Sequence, residues 1–504
     1  MSTERDPPHR TPALPSPVRE LQSALNAELR ETHISWVLLA GKAAYKLKKP
    51  VRLAFVDYGT LDRRRALCHE EVRLNRRLAP DVYRGVQAVV PAADGGFRFA
   101  AEHDARAVEY AVEMRRYDED ATLLRRLAVG TAGEADVSAV GRRLAEFHAA
   151  AATPREPGRT VARLWSMLDE NFASLRALVP TACGRIDDAE RLAAALRRGR
   201  REELLARAGA GLVRDGHGDL RAEHVVLEHG IEVVDCVEFD PGLREQDVGL
   251  DLAFLVMDLV RRDERLARAL VTAYREAGGD PGDDALLRFF GAQRALIRAK
   301  VALIRAGQVE PADAARRRAD AAELLDLADR LGWSVRLGEV AVVCGVAASG
   351  KSTLAATLAE RAGATVVSSD VVRKQLLGID PTARAPAGAY AHEVNRGTYD
   401  ALGRLAWRLV EAGERVVVDA TFRFAADRRA FAAARGPTEP TVWIECRAPA
   451  SVLADRAARR AKHPQQISDA DAGIVGRQIE EWESLGEVSA DRRIAVVTDA
   501  PPPM

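Results

Sequence analysis

Residues 339–363 read EVAVVCGVAASGKSTLAATLAERAG. An apolar run leads into an octapeptide of the form GxxxxGK[ST], and an Ala- and Leu-rich helical stretch follows it. That order dictates chemistry. Glycines let successive backbone N–H groups turn toward a polyphosphate, and the start of the next helix adds its dipole. The expected nucleotide contacts are Gly345, Ser349, Gly350, Lys351, Ser352 and Thr353. Lys351 can reach the β- and γ-phosphates, and the Ser352 hydroxyl can hold Mg²⁺. Further on, apolar runs (TVVSSD, RVVVDAT, TVWIECR, RIAVVT) alternate with helical stretches. This is the α/β pattern of a parallel sheet.

The chain has 504 residues, enough for two to four domains. Its 74 basic residues balance 74 acidic ones, which disfavours nucleic acid or an anionic membrane as an electrostatic partner. No apolar stretch reaches the length of a membrane span, and the Pro-rich N-terminus lacks the apolar centre of a secretory signal. The five cysteines are scattered, with no CxxC pair, so a cytoplasmic protein is expected. Only eight residues are lysine, and four of them are Lys42, Lys46, Lys48 and Lys49. In an Arg-rich chain such a cluster suggests a need for compact ammonium groups, or a solvated hairpin.

Residues 1–20 read as a disordered tail. Strand-like runs and one helix fill about 30–115, and mainly helical sequence fills about 116–330. Ala312–Leu331 reads as a charged linker helix, and the α/β part spans 335–504.

Within the α/β part, Asp370 is expected at the end of a strand, where open α/β sheets bind ligands. It can take a proton from a substrate hydroxyl, and Arg373 can steady a phosphate. Asp419 closes another apolar run and suits a Mg²⁺-linked carboxylate beside Ser352. Arg456 and Arg460 stand four apart on one helix, before a polar stretch that reads as a lid. GVAASGKST, SSDVVRKQL, VVVDATF and DRAARR together resemble the small-molecule kinases of the P-loop fold: gluconate kinase-like, zeta-toxin-like and polynucleotide-kinase-like proteins. The resemblance implies ATP-dependent phosphorylation of a hydroxyl, with Asp370 as the substrate-side base. Arg456 or Arg460 would offset charge in the transition state.

Upstream, GHGDLRAEHVVLEHGIEVVDCVEFD puts His217, Gly218 and Asp219 before one strand and Asp235 at the end of the next. Two such acids can divide proton acceptance and Mg²⁺ binding. Residues 21–330 resemble the aminoglycoside-phosphotransferase family, whose fold is kinase-like and bilobal. The resemblance makes Lys46 (in Ala44-Tyr45-Lys46) the phosphate lysine and Glu71, rather than Glu70, its ion-pair partner. It makes Asp219 catalytic, Asp235 the metal aspartate, Asp251 the anchor of the catalytic loop and Glu113–Tyr117 the adenine hinge. Two positions depart from the family. His224 stands where the family has a metal-binding Asn, and imidazole binds metals although Mg²⁺ prefers oxygen. Glu238 or Asp240 could compensate. The turn near Glu31–Ser35 lacks the glycines of protein kinases.

The whole chain resembles fused bacterial proteins that join these two parts and are often labelled AAA family ATPase. The expectation is an α+β kinase-like bilobal domain followed by an α/β P-loop NTPase domain with a parallel sheet. ATP and Mg²⁺ would be its cofactors and a small hydroxylated molecule its acceptor. The alternative is a nucleotide-binding regulator, in which the first module senses ATP or a ligand and gates the second.

Overall fold

Side chains alternate across a strand, so Ala44, Lys46 and Lys48 share one face of Ala43–Lys48, and Tyr45 and Leu47 share the other. A two-residue turn at Gly41 (φ +57°) and Lys42 joins this strand to Ser35–Ala40. A computed structural model describes residues 15–53, 56–93, 95–380, 383, 386–435, 441–460 and 472–499. The chain forms two units, Met1–Leu325 and Asp326–Met504. The division falls within the helix Pro311–Leu337.

The first unit opens with a six-stranded antiparallel sheet. Its order is Glu28–Glu31, Ser35–Ala40, Ala43–Lys48, Glu109–Arg115, Tyr83–Pro91, Phe97–Ala100. One face buries Trp36, Leu38 and Leu47 against Val18 and Leu21 of the helix Ser16–Ala24. Residues 16–20, expected in a disordered tail, are therefore helical: Val18 and Leu21 gain more by covering the sheet than the polar residues around them lose. Residues 1–14 lie outside the described residues.

The other face packs on the helix Leu61–Asn75. Thr60 caps that helix by accepting from the Arg63 N–H, and its inner stripe carries Arg64, Cys68, Glu71, Val72 and Asn75. Glu71 thus lies beneath the lysine face of the sheet. The remainder of this unit is mainly helical. Glu134–Ala150 and Glu264–Glu276 approach backbone to backbone at Gly141, where a Cβ would sit 2.5 Å from the Leu270 carbonyl oxygen.

Two short hairpin arms, Val225–Val226 and Glu232–Val233, carry the loops of the first site. Asp235, expected to end a strand, lies two residues beyond it with φ +64°. Its N–H donates to the Tyr83 hydroxyl at 3.1 Å rather than to a ladder carbonyl, so the backbone leaves the strand.

The second unit is a five-stranded parallel sheet in the order Thr365–Ser368, Val416–Asp419, Val340–Cys344, Val442–Arg447, Arg493–Val497. All five residues of the central strand Val340–Cys344 are buried, because helices cover both faces. Phe422, Phe431 and Trp443 pack edge to face on one side, while Ala355, Leu358 and Ala359 of the helix Lys351–Ala362 cover the other. The fold is thus an α+β unit with an antiparallel sheet followed by an α/β unit with a parallel sheet. Among the described residues no helix is long and apolar enough to cross a membrane.

Replacing Gly141 by valine should force the two helices apart. The expected loss is about 1–3 kcal/mol, read as a lower urea midpoint for the first unit.

Candidate functional site

The first site is built around ammonium groups held by carboxylates. Lys46 Nζ lies 2.8 Å from Glu71 Oε1 and 2.8 Å from Asp235 Oδ1. Burial opposes its charge, but Asp235, Glu71 and Glu238 together outweigh that and raise its pKa well above the ordinary lysine value. Glu71 is desolvated too, yet Lys46 and Lys48 hold its carboxyl below the usual range. The Lys46 ammonium keeps Asp235 well below that range as well.

Lys48 carries no separate signal in the sequence, although the alternation that turns Lys46 inward turns Lys48 inward too. Fully buried, it donates to Glu71 Oε2 at 2.6 Å and pairs with Glu238. The Tyr58 hydroxyl donates to the same Glu238 oxygen at 2.6 Å. Glu238, weighed as a metal ligand from the sequence, is therefore engaged in a buried ion pair. Asp240, the other candidate, receives Arg163 at 2.7 Å and caps the short turn after it.

Asp219 sits between two imidazoles. Its N–H donates to His217 Nδ1 at 3.3 Å, and its carbonyl oxygen lies 2.8 Å from His224 Nδ1. His217 Nε2 in turn donates to the Val234 carbonyl at 3.0 Å. Burial pushes His217 down to about 4, so the ring is neutral near pH 7 and can serve as both acceptor and donor. Asp251, 1% exposed, shapes the loop from below. It accepts from His217 N–H at 2.7 Å, Gly218 N–H at 2.8 Å and Gln246 Nε2 at 2.9 Å, and lies 3.1 Å from His148 Nε2. At Gly218 φ is +86° and a Cβ would meet the Leu243 carbonyl at 3.0 Å, so the turn requires glycine. The Asp235 N–H donates to the Tyr83 hydroxyl at 3.1 Å, and the Cys236 N–H donates to Asn75 Oδ1 at 2.9 Å. Lys46, Glu71, Asp219, His224 and Asp235 are thereby brought together.

The second site lies at the carboxyl end of Val340–Cys344. Gly345, Ala348 and Gly350 all have positive φ, at +140°, +64° and +88°. A Cβ on Gly345 would fall 2.5 Å from the Cys446 carbonyl oxygen. This nest precedes the helix Lys351–Ala362, whose start no side chain caps, leaving its N–H groups for an anion. Ser352 and Thr353 are exposed in its first turn. Lys351 Nζ donates to the Val346 carbonyl at 3.0 Å. The Ser349 Oγ is buried with no hydrogen-bond partner among the described residues.

Asp419 ends its strand level with Val343 and Ser368 on the neighbouring strands. Asp370 belongs to the first turn of the helix Ser369–Leu376, and its strand stops at Ser368. The helix starts early because Asp370 gains Arg373 one turn on, at 2.9 Å. Burial raises the Asp370 pKa above the ordinary carboxylate value, with Arg373 and Lys351 opposing and Asp419 reinforcing it. Asp370, Lys351 and Asp419 thus share one electrostatic environment. Arg373 is committed to Asp370 and to Asn395 Oδ1 at 3.0 Å, and does not stand open to a phosphate.

Arg456, expected on a lid, donates from Nη2 to the Thr498 carbonyl. Thr498 Oγ1 donates to the Ser349 carbonyl at 2.6 Å, so Arg456 reaches the phosphate loop through the residue that follows the last strand. The side chain of Arg460 and the stretch 461–471 lie outside the described residues. Gln478 carried no sequence signal, yet its Oε1 accepts the Ala347 N–H of the loop at 2.7 Å. Its helix, Ala472–Glu480, comes from remote sequence, and Val475 packs on Ala347 and Ala348.

Among known proteins, Uncharacterized protein Rv2004c of Mycobacterium tuberculosis (strain ATCC 25618 / H37Rv) is 34% identical over 481 residues, which is 91% of this chain and 91% of the relative. The chain belongs to this family. Residues 340–485 match the family model described as AAA domain. A gluconokinase from Sinorhizobium meliloti 1021 is similar to the P-loop part, with 24% identity, 32% of this chain and 84% of that one covered, and a TM-score of 0.24. The ADP-bound aminoglycoside phosphotransferase APH(2'')-Ib is similar to the N-terminal part, with 14% identity, 61% and 96% covered, and a TM-score of 0.32.

The buried His217 supplies a stability test. Its pKa is about 4 in the fold against 6.5 when unperturbed, so between those values the unfolded chain binds the extra proton. The contribution is complete above pH 6.5 and is lost on acidification toward pH 4, up to about 3 kcal/mol. Urea midpoints of the first unit should fall across that window, and His217→Asn should flatten the dependence.

Proposed function

We propose that the chain is an ATP-dependent phosphotransferase with two kinase modules, each transferring a γ-phosphate to a hydroxyl group of a small molecule. The observation that carries the reading is the nest of Gly345, Ala348 and Gly350 at an uncapped helix start, with Lys351 beside it. Such a nest holds a polyphosphate. In this reading Gly345, Ser349, Gly350, Lys351, Ser352 and Thr353 take the phosphates of one ATP. Ser352 and Asp419 suit Mg²⁺, since both offer oxygen donors. When bound, the cation would offset charge on the phosphate oxygens.

Asp370 is the acceptor-side base. Its raised pKa makes it a better proton acceptor than an ordinary aspartate once ionised. Arg456 would steady the loop against charge through Thr498, and Arg460 would act from the lid.

In the first module Lys46 would exchange its contact with Asp235 for nucleotide phosphates while keeping Glu71. Asp219 would accept the proton of the acceptor hydroxyl, and Asp235 and His224 would hold the cation. Two ammonium groups, Lys46 and Lys48, face three carboxylates, Glu71, Asp235 and Glu238, a balance that favours a further cation. The regulator reading differs in one measurable respect: it requires binding without transfer.

With γ-labelled ATP and a pool of hydroxylated metabolites, label should reach acceptors in the full chain and in each of Lys351→Ala and Asp219→Ala. It should vanish in the double variant while the circular dichroism spectrum is kept. Undiminished transfer in the double variant refutes the assignment, and nucleotide binding without any transfer favours the regulator.

The pKa of Asp370 gives a second test. In the Asp219→Ala chain, transfer should fall on acidification with a midpoint above 3.8, the ordinary aspartate value. Asp370→Asn should lower kcat about 10²–10⁴-fold and abolish that acidic limb.

A further inference from the structure

Beside Asp219 the first unit gathers several arginines. Arg221 stands two residues after Asp219, on the same loop. Its Nη1 lies 2.5 Å from Glu223 Oε1, while its Nε is buried with no hydrogen-bond partner among the described residues. The helix Asp284–Ala306 runs alongside this loop, and one carboxylate fixes the two together: Asp258 accepts from the Ala222 N–H at 3.0 Å and from Arg298 Nη1 at 2.7 Å. Arg305 follows Arg298 by two helical turns and shares its face. The chain returns in the helix Pro311–Leu337, where Arg317 shares an inner face with the buried Ala314 and Ala321. The Nε of Arg317 is likewise buried and unpartnered among the described residues. Among those residues, too, no carboxylate lies within ion-pair distance of Arg305 or Arg317.

The three guanidinium groups sense one another. Desolvation lowers the Arg305 pKa, Arg317 and Arg221 lower it further, and Asp219 and Glu223 act in the opposite direction. Arg305 also bears on His33, in the turn between the first two strands, where burial and then Arg305 lower the imidazole pKa. Arg305 therefore stands between that turn and the loop of Asp219, with its side chain open to solvent. Like charges so placed repel, and a buried guanidinium nitrogen without a partner costs stability. The acids at hand do not relieve this: Glu223 is taken by Arg221, and Asp258 by Arg298. A ligand bearing an oxyanion does, because phosphate and carboxylate oxygens match the planar guanidinium fork.

We propose that the acceptor of the first module is an anionic alcohol, whose phosphate or carboxylate group is held by Arg305 and Arg317, with Arg221 at the border toward Asp219. The inference rests on the reading of the first module as a phosphotransferase with Asp219 as its base. The acceptor oxygen takes the γ-phosphoryl group of ATP, its proton passes to Asp219, and ADP leaves. The guanidinium groups make none of these bonds. They hold the far end of the acceptor and thereby set which alcohols enter.

The full chain carrying Lys351→Ala, which silences the phosphate loop, is given γ-labelled ATP and a pool of hydroxylated metabolites separated by ion exchange into anionic, neutral and cationic fractions. At least about 10-fold more label should enter the anionic fraction than either of the others, and the excess should shrink as salt is raised. Adding Arg305→Ala and Arg317→Ala together should raise the apparent KM for that fraction about 10-fold or more, with kcat and the KM for ATP changed by less than about 2-fold. Arg305→Lys with Arg317→Lys should recover part of the KM, since the charge returns without the fork. Phosphatase treatment of the anionic fraction, with the phosphatase removed before ATP is added, tells the two oxyanions apart. Loss of the acceptor assigns a phosphate and retention a carboxylate, and either accords with the proposal.

A neutral or cationic fraction that takes as much label, or a KM unmoved by the double alanine variant, overturns the proposal and leaves the phosphotransferase standing. Absence of label in every fraction overturns the phosphotransferase reading of the first module, and the proposal with it.

Discussion

A buried carboxylate is tolerable only if positive charge or N–H groups meet it, and Glu71, 1% exposed, is met by two ammonium groups at once. That requirement organises the first unit. It ties the strand Ala43–Lys48 to the helix Leu61–Asn75, and through Lys48 and Glu238 it ties both to the loop after Asp235. Because Lys48 stays on Glu71, Lys46 can leave Asp235 for another anion without stranding the glutamate. Lys48 and Lys46 thus share the compensation of one buried carboxylate, Glu71.

The same constraint acts at Asp251. It is met chiefly by N–H donors, and they dictate the path of the chain through His217 and Gly218. Asp219 is consequently presented by a loop whose backbone is over-determined from two sides: by the carboxylate beneath and by the imidazoles of His217 and His224 flanking it. In the second unit the constraint is geometric. Positive φ at three loop positions turns N–H groups inward, and Val475 and Gln478 brace the outer side of that loop. Each site thus sets one lysine, Lys46 or Lys351, beside a loop whose backbone is held by contacts from other segments.

Much of this was legible in the residue order. The octapeptide Gly345–Ser352 between an apolar run and a helix carries its own conformation, because only glycine fits at Gly345 and Gly350. Glu71, on the apolar stripe of its helix, is the buried one; Glu70 instead pairs with the exposed Arg73 and the buried Arg244. Other features were misread where a local rule met a stronger neighbour. Asp370 looked like a strand end, but Arg373 one turn later rewards helix. Glu238 looked open to a metal, but Lys48 and Tyr58 reach it from about 180 residues upstream. Gln478 has no local signal at all, since its partner is a backbone amide 131 residues away.

Residue order alone carries the two-part architecture, the glycine-rich loop and the lysine, histidine and aspartate positions around which the first site forms. Periodicity and glycine placement are local properties, and each segment expresses them without reference to the rest. Which acids each lysine compensates, and which side chain braces the loop at Ala347, follow only from the folded arrangement. Those outcomes depend on distances between groups far apart in the chain, and the energy of a charge or a lone pair is set by what folding brings within a few ångströms of it.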